Sequence, residues 1–554
     1  MASGKAWNRR LALAGGAAMA AGAGAVALSL RHERVHRNLA GPDTLLRGNA
    51  GEPQTLDPSL ASAITEAEII GDLMVGLFQV DPDARPVPGM AVKWETSPDG
   101  LRWTFHLREA QWSDGTPVTA DDFVFSWRRI LNPATASSYS YFLYPLMNAE
   151  QVNAAKMPPE TLGARAVDAH ILEVTLENPA PYLLEMLTHQ TMGPLPRHVL
   201  EAQGRDWARP GTYVGNGAFV LKEWVPNDHV LVEKNPLFYD AEKVRLRRVY
   251  FFPTDDYGAA LQRFRAGELD TQDKLPGQEI DWIRANIPQV LSNMPQLVTE
   301  ILAVNHRRRP FGDIRVREAI NLALNREAIT DRIVRVGDVP AYALVPPTTA
   351  NYPKGNAFDF KRLNPSQRLE KARALMQAAG FGPANRCKTT YLIRSTTAGT
   401  YRSVAAAIQQ MLAQIWLDIS IIPNDMQIFY PTIQAPLHDF DMAQSGWQAD
   451  FNDAITFLNL LRSGGGDNWG QYSNPAYDAV LAKAQADINL ESRGQKLAAA
   501  ERIALADHAV MPLWFWNDSN LAWPYLSGWQ PNPLDYHRSR WITIDEQARA
   551  RLFA

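Results

Sequence analysis

The sequence predicts a mixed α/β protein of several domains, and three observations carry that prediction. From about Leu45 onward, short β-rich runs alternate with amphipathic helices, and no regular repeat period organises them. Long segments separate similar strands, as crossover connections in a layered α/β protein require. The chain has 554 residues, which corresponds to three to four domains at roughly 150 residues each. Its composition supports an ample core: 46% of residues are hydrophobic and 21% charged, which excludes disordered and collagen-like chains. The 55 basic and 59 acidic residues leave a net charge of −4. No basic excess is available to meet phosphates, so nucleic acid is not an expected partner.

Individual elements follow from local pattern. Leu101-Arg102-Trp103-Thr104-Phe105-His106-Leu107 alternates apolar and polar residues, as a half-buried strand does. Ser113-Asp114-Gly115-Thr116-Pro117 makes a turn, and Thr119 caps a helix with Asp122 at its third position. That helix places Phe123, Val124, Trp127, Ile130 and Leu131 on one face and stops before Pro133. Ile171 to Leu176 and His229 to Glu233 read as strands, Val316 to Asn325 and Arg402 to Gln414 as helices.

The N-terminus reads as an export signal. Lys5, Arg9 and Arg10 precede an uncharged stretch from Leu11 to Leu30, and Ala25-Val26-Ala27 has the small-x-small form of a cleavage site. Arg9-Arg10 with Leu11 and Leu13 is similar to a twin-arginine signal. The stretch is also long enough to remain as an uncleaved anchor, although its Ala and Gly content makes it weakly hydrophobic. The single cysteine, Cys387, lies far from this segment, so neither a lipoprotein anchor nor an intramolecular disulfide is expected. Cys387 reads as a buried small hydrophobe.

Catalytic patterns are few. His32-Glu33-Arg34-Val35-His36 matches H-E-x-x-H, in which two histidines share a metal and the glutamate activates water. Here the motif follows the export signal directly, among Arg31, Arg34 and Arg37, without an apolar face to bury it. No nucleophile elbow, phosphate loop or cysteine metal pair is present. Arg307-Arg308-Arg309 reads as a solvated turn. Asp450 and Asp453 suggest paired carboxylates, but nothing sets a scissile bond between them. No enzyme chemistry, metal or cofactor is expected.

A set of collinear blocks carries a resemblance. Ala120-Asp121-Asp122-Phe123-Val124-Phe125-Ser126-Trp127-Arg128-Arg129 resembles the signature of the family-5 extracellular solute-binding proteins, the oligopeptide and dipeptide receptors of ABC importers. Trp112 to Thr119, Asn216-Gly217-Ala218-Phe219, Pro310 to Arg317 and Gly446-Trp447-Gln448-Ala449-Asp450 extend it. The likeness runs from Leu56-Asp57-Pro58 to the C-terminal strands and is nearest to the oligopeptide-binding type. It implies an α/β type II periplasmic-binding-protein fold with two lobes, a hinge and three domains. Residues 1–40 are then the export signal and a polar linker. Lobe one comprises 41–74, 198–297 and 518–554; an inserted domain spans 75–197; lobe two runs from 298 to 517. The lobes close on the ligand, and inner-membrane permease subunits read the closed form. The resemblance further implies a periplasmic protein, monomeric, with a peptide or peptide-like ligand.

It also implies site residues. Asp450 matches the aspartate that holds a peptide's α-ammonium, an anion that a buried cation requires; a surface aspartate in a turn is the alternative. Trp447 would wall that pocket, and Tyr139 matches a tyrosine near the peptide's first residue. Ser62, Ile64, His189, Gln448 and the Trp514-Phe515-Trp516 run align with pocket positions, although each aromatic also suits a core. The departures concern the far end of the ligand. Where relatives carry cations this chain has Gln444 and Ala435, a family histidine falls near Thr400, and a tyrosine-rich stretch reads Thr299-Glu300-Ile301-Leu302. Glu300 would repel a carboxylate, and Arg394, Arg402 or His438 are the available substitutes. The resemblance therefore points to a ligand with a free amine and a modified far end. Alternatives at this stage are a same-fold receptor for a cell-wall peptide, opine, metal chelate or antibiotic-like compound, a metalloprotease using His32 and His36, or a structural envelope protein.

Overall fold

Residues 41–395, 399–434 and 437–553 are described by a computed structural model. The export segment with His32 and His36 lies outside the described residues, as do Ala435 and the side chain of Thr400. Among the described residues, no helix is long and apolar enough to cross a membrane.

Among the described residues, one mixed sheet of eleven strands organises the chain, the short strand Val339–Pro340 pairing off its main path with Met511–Ala522. At its centre, the two longest strands, Leu291–Val304 and Met511–Ala522, run antiparallel to each other. On one side the order continues through Met442–Gln448, Cys387–Arg394 and Leu417–Asn424. Cys387–Arg394 and Leu417–Asn424 are parallel, so the helix Gly399–Ala413 serves as their crossover. On the other side stand Thr271–Gln272, Thr44–Asn49, Arg248–Pro253, His229–Lys234 and Phe219–Val225. Thr44–Asn49 is buried along its whole length, and its one charged residue, Arg47, meets Glu68 at 2.6 Å. A fully buried strand can carry such a charge only when it is paired.

The two central strands do not stay in register. Pro295 pairs with Asn517 and Thr299 with Phe515, so four steps on one strand face two on the other. Pro295 has no N–H to give the ladder. In the interval, the Leu297 N–H turns to Pro533 O at 3.0 Å and the Gln296 side chain to Asn532 O at 3.1 Å. Such a bulge bends the strand and re-aims the side chains beside it; Val298, Glu300 and Trp516 lie at this break.

A separate antiparallel sheet of four strands, Ala91–Thr96, Arg102–Leu107, Ile171–Thr175 and Ala164–Asp168, lies outside the main one. The helix Ala120–Leu131 buries Phe123, Trp127, Ile130 and Leu131, and Asp122 accepts from the Thr119 N–H at 2.8 Å. These elements match the local reading. The helix expected from Val316 begins at Ile314, because Asp313 accepts from the Arg315 N–H and caps it two residues earlier. Cys387 is buried, and Arg307 to Arg309 occupy an exposed turn.

The turn after Met442–Gln448 is fixed from below. Arg493 grips Asp453 with both nitrogens, at 2.6 and 2.9 Å, and both side chains are buried. The Tyr182 ring covers the guanidinium at 4.8 Å. Removing one partner of a buried pair leaves an uncompensated charge, which costs about 3–5 kcal/mol. Asp453→Ala is therefore expected to lower stability by about that amount, measured as an earlier urea unfolding midpoint.

Candidate functional site

Asp450 stands three residues beyond Trp447, on the turn that the Asp453–Arg493 pair supports. The neighbouring Ala449 N–H donates to Leu297 O at 2.8 Å, which ties the turn back to the bulge. From the other side, the Tyr139 hydroxyl donates to Asp450 Oδ1 at 3.3 Å. The Tyr139 ring stacks on His189 at 5.2 Å and on Tyr141 at 5.7 Å. Phe451, next to Asp450, packs against Tyr182 and Phe142. Segments 139–189 and 449–453, remote in sequence, thus form one aromatic-walled acidic corner.

Charge in this corner is uncompensated. Burial pushes the Asp450 carboxyl up to about 7, the Tyr139 hydrogen bond draws it down, and the charge of Asp467 pushes it up again. None of the groups acting on it is a cation. Asp467 is itself raised by burial, against the pull of Arg462. His189 supplies no charge: burial holds it down to about 3, and its Nδ1 accepts from the Thr191 N–H at 3.3 Å. It is a neutral floor beneath Tyr139.

Beside the corner lies a cavity of about 410 Å³. Trp447, Trp469 and Trp516 wall it with Tyr401, Phe429 and Tyr430, while Glu300, Arg394, Gln444 and Gln448 bring polar groups to it. Glu300 faces Gly446 across the strand pair. A Cβ on residue 446 would stand 2.9 Å from Glu300 Oε2, so the carboxylate occupies the space that glycine leaves. The Trp516 indole donates to the same oxygen at 3.3 Å. Burial pushes the Glu300 carboxyl up to about 7, while the Arg394 charge and the polar groups of Trp516, Gln444 and Tyr401 draw it down. Gln444 Oε1 accepts from the Arg394 N–H at 3.2 Å. Arg394 in turn reaches the Tyr430 hydroxyl at 3.4 Å and lies 5.7 Å from the Tyr401 ring.

The residues named from sequence are thus divided between the corner, the cavity and positions outside both. Asp450, Tyr139 and His189 share the acidic corner. Trp447, Gln444, Gln448 and Trp516 line the cavity, and Trp447 is oriented by its bond to Thr456 Oγ1 at 2.8 Å. Ser62 is exposed, and its N–H is taken by Glu66. Ile64 lines a separate small recess with Arg47, Asp273, Lys274 and Asp535, and Lys274 stands between that recess and the Trp516 ring, 5.8 Å away. Asp453 does not pair with Asp450, since both its oxygens are held by Arg493. Of the three cations considered for the far end, Arg394 lines the cavity; Arg402 is exposed, and neither it nor His438 is part of the lining. Sequence reasoning missed Tyr401, Tyr430, Trp469 and Asp467. Asp467-Asn468-Trp469 follows Gly464-Gly465-Gly466, and a tryptophan after a flexible polar turn was the one signal available.

A mixed sheet whose two longest strands slip register, with an acidic aromatic corner and a cavity beside the slip, is the architecture of a two-lobed α/β binding protein. The chain belongs to the bacterial extracellular solute-binding proteins of family 5, whose middle region it matches over residues 85–469. It is 36% identical over 507 residues to the periplasmic oligopeptide-binding protein OppA of Salmonella typhimurium, covering 90% of this chain and 92% of that one. Haemophilus influenzae OppA in complex with RPPGFSPFR superposes with a TM-score of 0.81 at 31% identity, over 91% of this chain and 99% of the other. The Escherichia coli murein tripeptide binding protein MppA, 33% identical, superposes at 0.82 in one structure and at 0.75 in its unliganded open form, over 91% of this chain and 99% and 98% of those chains.

The Asp450 shift has a stability consequence with a definite sign. Its carboxyl titrates above the ordinary value of 3.8, so the folded state binds the proton more tightly than the unfolded one. Stability contributed by this group is then lost as pH rises towards about 7. Asp450→Asn is expected to melt at a higher temperature than wild type near about pH 8, with the difference vanishing towards about pH 4. Melting curves of ligand-free protein across that range check it.

Proposed function

We propose that this protein is the periplasmic receptor of an ABC importer, capturing oligopeptides or peptide-like solutes by lobe closure and delivering them as a monomer to inner-membrane permease subunits. The observation that carries this reading is the buried, uncompensated carboxylate of Asp450, set beneath Tyr139 in an aromatic corner. A carboxyl held near neutrality by burial is completed by a ligand ammonium, which restores its charge and takes the place of water. The likeness to peptide-bound OppA and to MppA supports a peptide as that ligand.

In this reading lobe one comprises residues 41–74, 198–297 and 518–554, lobe two 298–517, and the inserted domain 75–197. The bulge between Pro295 and Thr299 is then the hinge, because it is where the two crossing strands lose register. Tyr139 belongs to the inserted domain and Asp450 to lobe two, so the ammonium site assembles only as the two approach. Superposition on MppA that is poorer for the unliganded open form, 0.75 against 0.82, supports an arrangement here that departs from that open form. The peptide main chain supplies most of the affinity, and hydrated pockets take varied side chains.

Isothermal titration with short peptides tests this. A free-amine tripeptide is expected to bind at least about a hundredfold more tightly than its N-acetyl form, and Asp450→Asn to remove that difference. Equal affinity of the two forms overturns the role of Asp450. Because binding ionises Asp450, affinity for the free amine should fall by up to about tenfold per pH unit below about 7, with proton release on binding.

A further inference from the structure

The cavity beside the acidic corner is walled by rings whose polar ends are already engaged or sealed. Trp447, Trp469, Trp516, Tyr401 and Tyr430 line it, and all five are half-buried. The Trp447 indole N–H is taken by Thr456 Oγ1 at 2.8 Å and the Trp516 N–H by Glu300 Oε2 at 3.3 Å. Trp469 Nε1 is buried. The Tyr430 hydroxyl accepts from Arg394 at 3.4 Å, and the Tyr401 hydroxyl eases the Glu300 charge. Glu300 and Gln444 are only 2% and 3% exposed, so their polar atoms are largely withheld from the cavity. What these residues offer an occupant is therefore ring surface. Phe429, itself buried, meets Tyr430 edge-on at 5.4 Å, and Tyr430 meets Trp469 edge-on at 6.3 Å.

Half-exposed rings grouped around a cavity mark a place where an apolar group docks. The chemistry of the walls narrows that group further. It is large: a methyl group would leave most of the roughly 410 Å³ to water, whereas an aromatic side chain has roughly 150–250 Å² to bury. It is neutral, because Arg394 in the lining opposes a cation. An anion fares no better: Arg394 already faces the Glu300 charge, so a ligand carboxylate would leave water without a cation of its own. It is aromatic rather than aliphatic, since ring edges and the guanidinium 5.7 Å from the Tyr401 ring both attract a π face and gain nothing extra from a saturated chain. We propose that this cavity receives an aromatic side chain from among the first three residues of the ligand, so that the receptor favours peptides with Phe, Tyr or Trp there. The proposal rests on the peptide-receptor reading above. Trp447 is three residues from Asp450, at most about 11 Å of Cα trace, so one peptide can set its ammonium at Asp450 and a ring in the cavity.

The test is isothermal titration of the wild-type protein with tri-alanine and with tripeptides in which Phe, cyclohexylalanine or Lys replaces each alanine in turn. At one position Phe is expected to bind at least about tenfold more tightly than Ala. There it should also exceed cyclohexylalanine, which matches its size without a π face, by at least about threefold, while Lys gains nothing over Ala. Phe matching Ala at every position would overturn the inference, as would cyclohexylalanine or Lys binding as tightly as Phe. Trp469→Ala, whose folding is checked by melting, removes one wall and should narrow the preference for Phe over Ala below about threefold. An unchanged preference in the folded variant also overturns the inference. The wild-type series decides even if that variant does not fold. N-acetyl peptides separate the two readings: loss of the amine requirement with the Phe preference intact removes only Asp450's role. Failure of every peptide to bind removes both.

Discussion

The pairing of Leu291–Val304 with Met511–Ala522 is the constraint on which the rest of the molecule depends. These strands join the two halves of the sheet, and every strand to either side is ordered outward from them. A continuous ladder through this point would lock the halves together. The interruption between Pro295 and Thr299 instead frees the intervening backbone to bond with the C-terminal segment at Asn532 and Pro533. Val298, Glu300 and Trp516, beside this break, line the cavity. A backbone irregularity of two residues thus shapes one wall of the cavity.

The acidic corner and the cavity store electrostatic cost. Asp450 and Glu300 are both driven towards neutrality by burial, yet their surroundings differ. Asp450 has a tyrosine and a second carboxylate for company, and Glu300 has Arg394. No cation acts on Asp450, whereas Arg394 acts on Glu300. Preorganisation keeps the arrangement cheap to use: Asp453 and Arg493 hold the Asp450 turn, Gly446 makes room for Glu300, and Thr456 orients Trp447.

Much was legible in the sequence because it is local. Alternation in Arg102–Leu107, the Thr119–Asp122 capping pair and the apolar face of Ala120–Leu131 are written in spacings of two to four residues. The collinear blocks brought Asp450, Trp447, Gln444 and Trp516 to notice, and the loss of positive charge at Gln444 was visible at once. Motif matching was also misleading where context was thin: Asp453, read beside Asp450 as a paired carboxylate, is consumed by Arg493 forty residues away.

By itself the sequence determined the fold class, the local elements and the residue types available to a binding cleft, since those follow from periodicity and composition. Only the tertiary structure decided which of them meet. Tyr139 reaches Asp450 across 311 positions, and Trp516 reaches Glu300 across 216. Arg394 was one of three cations on offer, and strand order alone set it beside Gln444 and Glu300. Desolvation completes the difference: a carboxylate's working charge depends on what surrounds it, and the surroundings of Asp450 and Glu300 come from segments that no spacing rule connects.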